Sequence, residues 1–245
     1  MRESEARVAV AEICRRMYAR GLIAAADGNV SVRLGQGRLL VTPSGLSKGF
    51  LRPCDMIVTD LAGRPRPSAP RRASGAGRLV AVSNAARPSA EIRMHVLVFA
   101  ERPDVTAVVH AHPPIATALA LAGVSLEQCV LPEPCLVLGA VPTAPYATPF
   151  SADVAASIRP LVRRSSAIIL NRHGALTLGR TLEEAYNRLE TLEHAARILH
   201  AARQLGPVAP LSREQVARLR DLARELGLPG PPPDCDTCDG CPRPR

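Results

Sequence analysis

The stretch Val108-Val109-His110-Ala111-His112-Pro113-Pro114 constrains the fold of this chain most, because it is an apolar run that ends at two prolines. A short unbroken apolar run predicts a buried strand, and the prolines predict where it ends. Side chains alternate between the faces of a strand, so His110 and His112 would leave the same face. Two neutral imidazoles on one face make half of a metal site. Taken alone, such a pair is more often explained by a hydrogen-bonded core histidine.

The composition indicates a globular protein with an aliphatic core. Of the 245 residues, 47% are hydrophobic and 22% are charged, which suits one sizeable α/β domain or at most two small ones. Aromatic residues make up 2% and tryptophan is absent, so Val, Leu, Ile and Ala must fill the core. The scarcity of aromatic side chains also disfavours stacking against the bases of single-stranded nucleic acid.

The net charge is basic, +9 from 31 Lys and Arg against 22 Asp and Glu. This balance suits anionic substrates, nucleic acid or an anionic membrane, and a solvated Arg-rich surface explains it equally well. No stretch approaches the roughly 18 to 20 consecutive apolar residues of a membrane helix, and the N-terminus predicts an amphipathic helix instead of a signal segment. We therefore predict a cytoplasmic protein with neither a membrane nor a nucleic-acid partner. The scattered cysteines agree with that compartment.

Hydrophobic periodicity, caps and turns predict alternating helices and strands. The Gly35-Gln36-Gly37 turn joins the first two strands as a hairpin, and residues 142–149 read as a proline-spaced connection. The predicted helices cover residues 4–21, 89–101, 115–122, 151–162, 181–205 and 212–227, with Ser4, Ser89, Ser151, Thr181 and Ser212 as caps. The predicted strands cover residues 30–33, 38–41, 56–60, 105–112, 135–138, 167–170 and 175–178.

Two loops carry polar groups that suit an anion. The turn Ala26-Asp27-Gly28-Asn29 could present backbone N–H groups and the Asn29 amide, or be a plain turn. The small-residue loop at 42–49 offers N–H groups, hydroxyls and Lys48, which is the chemistry of a backbone nest that binds phosphate. The nucleotide P-loop spacing is absent, so composition favours a plain loop first and a phosphate site second.

A segment rich in Pro, Arg, Ser and Gly runs from Arg64 to Arg87. This composition predicts an exposed basic loop, with at most a short strand at 79–82. Because the segment lies immediately before Glu91, it is either a lid over a site or a plain insertion.

The C-terminal stretch 229–245 is proline-rich and contains three cysteines at two-residue gaps, Cys235, Cys238 and Cys241. Three cysteines without a fourth ligand favour a disordered tail over a soft-metal site. The predicted organisation is therefore one domain at 1–228, containing the basic insertion at 64–87, followed by a Pro- and Cys-rich tail at 229–245.

A third histidine for the metal site is available at the end of another buried strand. His173 follows the strand at 167–170 and precedes Gly174, which permits a tight turn. Glu91 lies in the first turn of the helix predicted at 89–101, where the helix dipole alone would favour a carboxylate. The remaining histidines are assigned no ligand role: His95, His194 and His200.

Five motifs in one order resemble those of the class II aldolase/adducin family. They are Gly28-Asn29, Thr42-Pro43-Ser44-Gly45, Ser89-Ala90-Glu91, His110-Ala111-His112 and Arg172-His173-Gly174. The resemblance covers about residues 5–226. It implies a single α/β domain with a central, mostly antiparallel β-sheet flanked by α-helices, assembled as a homotetramer with sites near subunit contacts.

The resemblance also implies the composition of the site. One catalytic divalent metal per subunit, usually Zn²⁺, would be held by His110, His112 and His173, with Glu91 as the catalytic acid/base. The phosphate and substrate cradle would be formed by Asn29, Ser44, Gly45 and Ser89. Ala90 stands where aldolases often have a second serine, so one hydroxyl donor is missing from this cradle.

The implied reaction is aldol cleavage of a small phosphorylated ketose through a metal-stabilised enediolate. Glu91 would move the proton at the enediolate carbon, provided that its surroundings raise its pKa toward neutrality. In the family a tyrosine from the neighbouring subunit is the second acid/base, and that position corresponds to Leu131 here. We expect Glu133 or Tyr146 to replace it.

Other activities within the family stay open at this point. A sugar-phosphate epimerase, a decarboxylase of a phosphorylated oxo acid and a methylthioribulose-phosphate dehydratase would share the metal and differ in acid/base placement. The alternative from another class is a metal-free, adducin-like binding protein. The presence of all three histidines and Glu91 disfavours it, because adducin-like members lack the metal set.

Overall fold

The computed structural model describes residues 1–66 and 87–227. Within these ranges the strands are β1 (Asn29–Leu34), β2 (Arg38–Val41), β3 (Ile57–Asp60), β4 (Ala107–Ala111), β5 (Thr143–Ala144), β6 (Ala167–Leu170) and β7 (Gly174–Gly179). The helices are α1 (Glu3–Ala19), α2 (Ile92–Glu101), α3 (Pro114–Leu121), α4 (Pro132–Leu138), α5 (Ala152–Val162), α6 (Leu182–Leu205) and α7 (Arg213–Glu225). Two 3₁₀ turns cover Lys48–Phe50 and Pro53–Asp55.

The strands form one sheet in the order β3-β2-β1-β4-β7-β6-β5. Every neighbouring pair is antiparallel except β5 and β6, which are parallel. The predicted mostly antiparallel sheet flanked by helices is thereby confirmed. Strand β4, which carries His110, lies between β1 and β7, so that His110 is opposite Asn29 on one side and Leu176 on the other.

Aliphatic side chains fill a core on each face of the sheet. On β4, Val109 belongs to the core covered by α1, α3 and α6, whereas Val108 belongs to the core covered by α2 and α5. This alternation follows from the period of two along a strand. His110 leaves the strand on the same side as Val108, and therefore points toward α2.

The segment after residue 130 differs from the prediction. Residues 135–138 were predicted as a strand, but Pro132–Leu138 forms the helix α4, with Leu131 at its N-cap. Four apolar residues in a row do not distinguish a buried strand from a buried helical turn. Pro132 and Pro134 both fit the first helical turn, where no backbone N–H is needed. The predicted connection at 142–149 contains the two-residue strand β5, too short to leave a pattern in the sequence.

Two predicted helix starts are shifted as well. Helix α2 begins at Ile92, with Glu91 at its N-cap, and not at Ser89. Ser89 is held against the end of β2 instead, where its N–H donates to the carbonyl of Thr42 at 3.1 Å. Helix α1 begins one residue before Ser4, because the N-cap is Arg2, whose backbone N–H donates to Glu5 at 3.0 Å.

The first residues of the predicted basic loop continue the sheet edge. Pro65 bridges Thr59 of β3, and the N–H of Arg66 donates to the carbonyl of Val58 at 2.9 Å. Residues 67–86, including the predicted strand at 79–82, and the cysteine tail lie outside the described residues, so the domain limits stay predictions. None of the helices in the described ranges has the length and apolar character needed to cross a bilayer.

A buried carboxylate of α6 holds the N-terminus of α3, which follows His112 directly. Glu193 is 2% exposed and accepts hydrogen bonds from the backbone N–H groups of Ile115 at 3.1 Å and Ala116 at 3.0 Å. Pro113, at the N-cap of α3, has no side-chain acceptor, so the free N–H groups of the first turn need one from elsewhere. Glu193 thereby fixes the direction of the chain just beyond His112.

Replacing Glu193 by alanine is expected to lower the free energy of unfolding by about 2 to 4 kcal/mol, because two buried N–H groups lose a charged acceptor. Urea titration followed by circular dichroism measures this loss. Glu225→Ala, at an exposed position of α7, is the matched control and should change the free energy by less than about 0.5 kcal/mol. Equal losses in the two variants would contradict the anchoring role.

Candidate metal centre

Three histidines converge at one end of the central strands of the sheet. His110 is on β4, His112 lies just beyond its end, and His173 is in the turn between β6 and β7. Their ring centroids are 4.8 to 5.1 Å apart, and one nitrogen from each ring lies within 4.8 Å of the others. The sequence predicted that these residues would meet, and the structure brings them together. The group could hold a metal ion.

Hydrogen bonding fixes which nitrogen of His110 faces the cluster. Its Nδ1 lies 2.9 Å from the carbonyl oxygen of Ala175 on β7, so it donates its proton there and leaves the Nε2 lone pair free. The Nε2 atoms of His110 and His112 are 3.3 Å apart. His110 is fully buried, whereas the side chains of His173 and His112 are 11% and 30% exposed.

Gly174 allows the strand with His110 and His112 to pass close to the turn with His173. A Cβ atom at Gly174 would overlap the carbonyl oxygen of Ala111 and lie 2.8 Å from Cδ2 of His112. Arg172, on the other side of His173, has a φ of +60°, which is uncommon for a residue other than glycine. The turn is therefore built to bring His173 against the end of β4.

Glu91 faces the same cluster from the start of α2. Its side chain is 9% exposed, with Oε1 at 3.1 Å from Nε2 of His173 and Oε2 at 3.3 Å from Nε2 of His110. The Asn29 amide donates to Oε2 at 2.7 Å, whereas Oε1 has no hydrogen bond of acceptable geometry. A buried carboxylate oxygen 3.1 Å from an imidazole nitrogen, without a hydrogen bond, is consistent with a position beside a cation.

The pKa of Glu91 does not shift in the direction that the sequence interpretation required. Burial raises this pKa, but the neighbouring His110 and His173 outweigh burial and hold it well below its usual range. In this arrangement the carboxyl is therefore ionised. The pKa of His112 is lowered to about 4, by burial first and then by the neighbouring His110 and His173, so this ring is neutral.

The residues predicted for the phosphate cradle come from three segments that lie side by side. Pro43 bridges Pro88 in antiparallel register, so Ser89 lies opposite Thr42 and Ser44 lies opposite Arg87. The N–H of Ser44 donates to the carbonyl of Arg87 at 2.9 Å. Ser44 and Gly45 are exposed, and Gly45 has a φ of +74°, so the Ser44 hydroxyl and the Gly45 backbone are open to a ligand. Asn29 is joined to the same place because the neighbouring Val30 pairs with Thr42.

The chain matches a known protein family over most of its length. The family description "Class II Aldolase and Adducin N-terminal domain" matches residues 8–200. The chain belongs to the class II aldolase and adducin family. L-fuculose phosphate aldolase of Methanococcus maripaludis is 31% identical over 187 residues, which is 76% of this chain and 92% of that protein. The 5-methylthioribulose-1-phosphate/5-deoxyribulose-1-phosphate aldolase of Rhodospirillum rubrum is 31% identical over 225 residues, which is 90% of this chain and 94% of that protein.

A solved structure gives the same family assignment. YgbL of Escherichia coli, described as a candidate aldolase/epimerase/decarboxylase, superimposes with a TM-score of 0.76 at 28% identity. The superposition covers 89% of this chain and 99% of YgbL. The fold of the class II aldolase family is therefore present over nearly the whole described chain.

The three histidines fit the divalent metal that class II aldolases generally use. Two nitrogens that each lie about 2.0 to 2.1 Å from a tetrahedral ion are about 3.3 to 3.4 Å apart. The Nε2 atoms of His110 and His112 already have this spacing of 3.3 Å, with no proton on the His110 nitrogen to bridge them. The Oε1 of Glu91, which has no hydrogen bond, lies beside this group, 3.1 Å from Nε2 of His173.

The two residues predicted as a second acid/base are exposed. Glu133 lies in the first turn of α4, and Tyr146 is 59% exposed after β5. Within the described residues no hydrogen bond or ion pair connects either one to the histidines or to Glu91.

Two further residues beside the centre were not assigned to the metal site from the sequence. Asp27 places Oδ2 at 3.5 Å from Nδ1 of His112. Lys48 is 2% exposed and donates its ammonium protons to the carbonyls of Ala26 and Leu46, both at 2.9 Å. Lys48 therefore holds two loops together in this structure. The signal for it was weak, since a lysine in a small-residue loop equally suggests a phosphate ligand.

A buried histidine next to the centre makes the stability of the fold sensitive to acid. His95 in α2 is 2% exposed; its Nδ1 is 2.5 Å from Oγ of Ser31, and its Nε2 has no hydrogen-bond partner. Burial, and secondarily the charge of His110, lower the pKa of His95 to about 3, while Glu91 opposes this shift. The folded protein thus keeps His95 neutral where an unfolded chain would protonate it.

We expect His95 to reduce stability as the pH falls from 6.5 toward 3. In that interval the unfolded state binds a proton that the folded state does not, so acid favours unfolding, by on the order of 4 kcal/mol at the lower end. Urea unfolding at about pH 7 and about pH 4.5 should show a loss of stability that is about 2 to 3 kcal/mol smaller in His95→Gln than in the wild type. His194→Gln, exposed on α6, should behave as the wild type. The same pH dependence in both variants would contradict the expectation.

Proposed function

We propose that this chain is a divalent-metal-dependent aldolase that cleaves a small phosphorylated ketose, with Zn²⁺ as the metal. That it is a lyase of the class II aldolase family follows from the family match and the aldolase-named relatives. The observation that carries the finer proposal is the convergence of His110, His112 and His173 with the buried carboxylate of Glu91. One metal per subunit would be held by the three imidazoles. When bound, it supplies Lewis-acid polarisation of a substrate carbonyl.

The remaining residues divide the other tasks. The hydroxyls of Ser44 and Ser89 and the backbone of Gly45, together with the Asn29 amide, would bind the phosphate and fix the position of the reacting carbons. Glu91, ionised and held by Asn29, would accept or return the proton at the carbon next to the carbonyl. Its burial keeps bulk water away from that proton. The proposal thus gives the phosphate-binding residues and Glu91 separate roles toward the substrate.

Glu133 or Tyr146 stays our proposal for the second acid/base. Both are exposed on one subunit, so either would act on the site of a neighbouring subunit in the homotetramer that the family resemblance implies. We propose the cytoplasm as the compartment, supported by the cysteines at positions 14, 54, 129 and 135, none of which forms a disulfide within the described residues, as suits a reducing environment.

A decarboxylase or epimerase acting on a phosphorylated sugar acid or sugar is the second candidate, favoured by the likeness to YgbL, for which both activities are considered. The same metal and base would serve those reactions, as they would the methylthioribulose-phosphate dehydratase reaction. A metal-free, adducin-like binding protein would leave the three converging imidazoles without a role.

One assay separates these candidates. Purified protein is analysed for bound metal and incubated with L-fuculose 1-phosphate, 5-methylthioribulose 1-phosphate, other phosphorylated ketoses and a phosphorylated oxo acid, with and without a chelator. Dihydroxyacetone phosphate, CO₂ and remaining substrate are then measured. Chelator-sensitive release of dihydroxyacetone phosphate supports the aldolase. Release of CO₂ from a phosphorylated oxo acid, or conversion without cleavage, would replace it by the decarboxylase or epimerase. If the protein turns over no substrate and binds no metal, the adducin-like binding protein is the remaining candidate.

A further inference from the structure

An aspartate outside the predicted site faces the most exposed of the three histidines. Oδ2 of Asp27 lies 3.5 Å from Nδ1 of His112, on the opposite side of the ring from the Nε2 that faces His110. His110 has a backbone carbonyl at its own Nδ1 and is fully buried, so its orientation is fixed by the sheet. The side chain of His112 is 30% exposed and lies beyond the end of β4, so the sheet does not fix it.

The backbone that carries Asp27 is held from three sides. Its own N–H donates to the carbonyl of Ala24 at 2.8 Å, and Lys48 donates to the carbonyl of Ala26 at 2.9 Å. On the other side Gly28, with a φ of +71°, lies so close to β4 that a Cβ atom would be 2.8 Å from the carbonyl oxygen of His110. The backbone therefore holds Asp27 in a fixed position, although its side chain is half exposed.

The carboxylate is directed to His112 and not to a basic residue. In the part of the chain that the structure describes, the only ion-pair partner of Asp27 is His112, although the protein carries 31 Lys and Arg. The one lysine of the sequence, Lys48, donates its hydrogen bonds to backbone carbonyls instead. A carboxylate next to Nδ1 keeps the proton on that nitrogen and leaves the lone pair on Nε2, where the cluster needs it.

We infer that Asp27 is a positioning residue of the metal centre: it orients His112 and fixes its tautomer, so that Nε2 is the nitrogen offered to the metal. This inference rests on the proposed function, because it assumes that the three histidines bind a divalent ion. Three neutral imidazoles contribute no charge, so the ionised side chains of Glu91 and Asp27 together balance a dication.

The test measures metal affinity and not activity. Four proteins are compared: the wild type, Asp27→Ala, Asp27→Asn and Asp221→Asn. For each, the dissociation constants of Zn²⁺ and Co²⁺ are measured, together with the rate at which a chelator removes each metal. Asp221 is an exposed residue of α7, so its variant loses the same charge far from the centre. Partners of metal ligands typically contribute about 10- to 100-fold in affinity, so Asp27→Ala should weaken metal binding by about that factor. Asp27→Asn should weaken it by no more than Asp27→Ala does. Asp221→Asn should match the wild type.

A second readout excludes a merely structural effect. In the Zn²⁺-loaded wild type, ¹⁵N spectra of the His112 side chain should show a protonated Nδ1 with slow exchange, and Asp27→Ala should lose that slow exchange. Affinity in Asp27→Ala within about twofold of the wild type, while His112→Ala loses binding, would overturn the inference and leave the metal site intact. If neither the wild type nor His112→Ala binds the metals, the proposed function itself fails, and the inference fails with it.

Discussion

Replacing His112 by alanine is expected to abolish metal binding and with it nearly all catalytic activity. Two imidazoles would remain, and affinity should fall by more than the roughly 100-fold that a lost ligand partner costs. Lewis-acid stabilisation is worth several kcal/mol, and about 4 kcal/mol corresponds to about 10³-fold in rate. His112 is the best of the three ligands to test, because its side chain is 30% exposed and little packing depends on it.

The measurement combines metal analysis of the dialysed protein with turnover of the best phosphorylated ketose. His194→Ala, exposed on α6 and distant in sequence from the motifs, is the matched control and should retain metal and turnover. Circular dichroism should show the same helical signal in both variants. Stoichiometric metal in His112→Ala, or a similar loss in His194→Ala, would remove the three-histidine site from the proposal.

The central part of the site could be predicted from the sequence because it depends on short-range rules. The period of two along a strand puts His110 and His112 on one side, and a buried strand followed by histidine and glycine makes His173 available. The prediction that these two segments meet came from the order of the five motifs and not from the spacing of the histidines. The structure supplies the physical cause, which is the pairing of β4 with β7 in antiparallel register.

The contacts that orient these residues could not be predicted, since they join segments far apart in the chain. Asp27 meets His112 across 85 positions, and Glu193 reaches Ile115 across 78. In the sequence Asp27 has the look of a turn residue and Glu193 that of an ordinary helical glutamate. Only the folded chain shows that one lies against an imidazole and that the other replaces a missing helix cap.

The errors in the fold have a local cause. At residues 135–138 four apolar residues fit a strand and a helix equally well, and Pro132 and Pro134, which precede them, form the first helical turn. At Ser89 a good capping residue was present, but pairing of its backbone with Thr42 prevented the helix from starting there. In both places tertiary contacts overrode a short-range preference.

Replacing Glu91 by glutamine is the second change with a large expected effect. Glutamine has the same size and can still accept the hydrogen bond that Asn29 donates at 2.7 Å, so the start of α2 should keep its place. It cannot accept the proton from the substrate carbon, and loss of a general base typically costs about 10² to 10⁴ in rate. The expected result is a fall of kcat in that range, with KM changed far less.

The variant separates proton transfer from metal binding. Three imidazoles remain in Glu91→Gln, so it should still bind Zn²⁺, unlike His112→Ala. Glu214→Gln, in the exposed first turn of α7, is the matched control and should keep full turnover. A kcat for Glu91→Gln within about tenfold of the wild type would assign proton transfer to another group. The observation that makes Glu91 the candidate base is the position of its carboxylate, which is 9% exposed and lies 3.1 Å from Nε2 of His173 and 3.3 Å from Nε2 of His110.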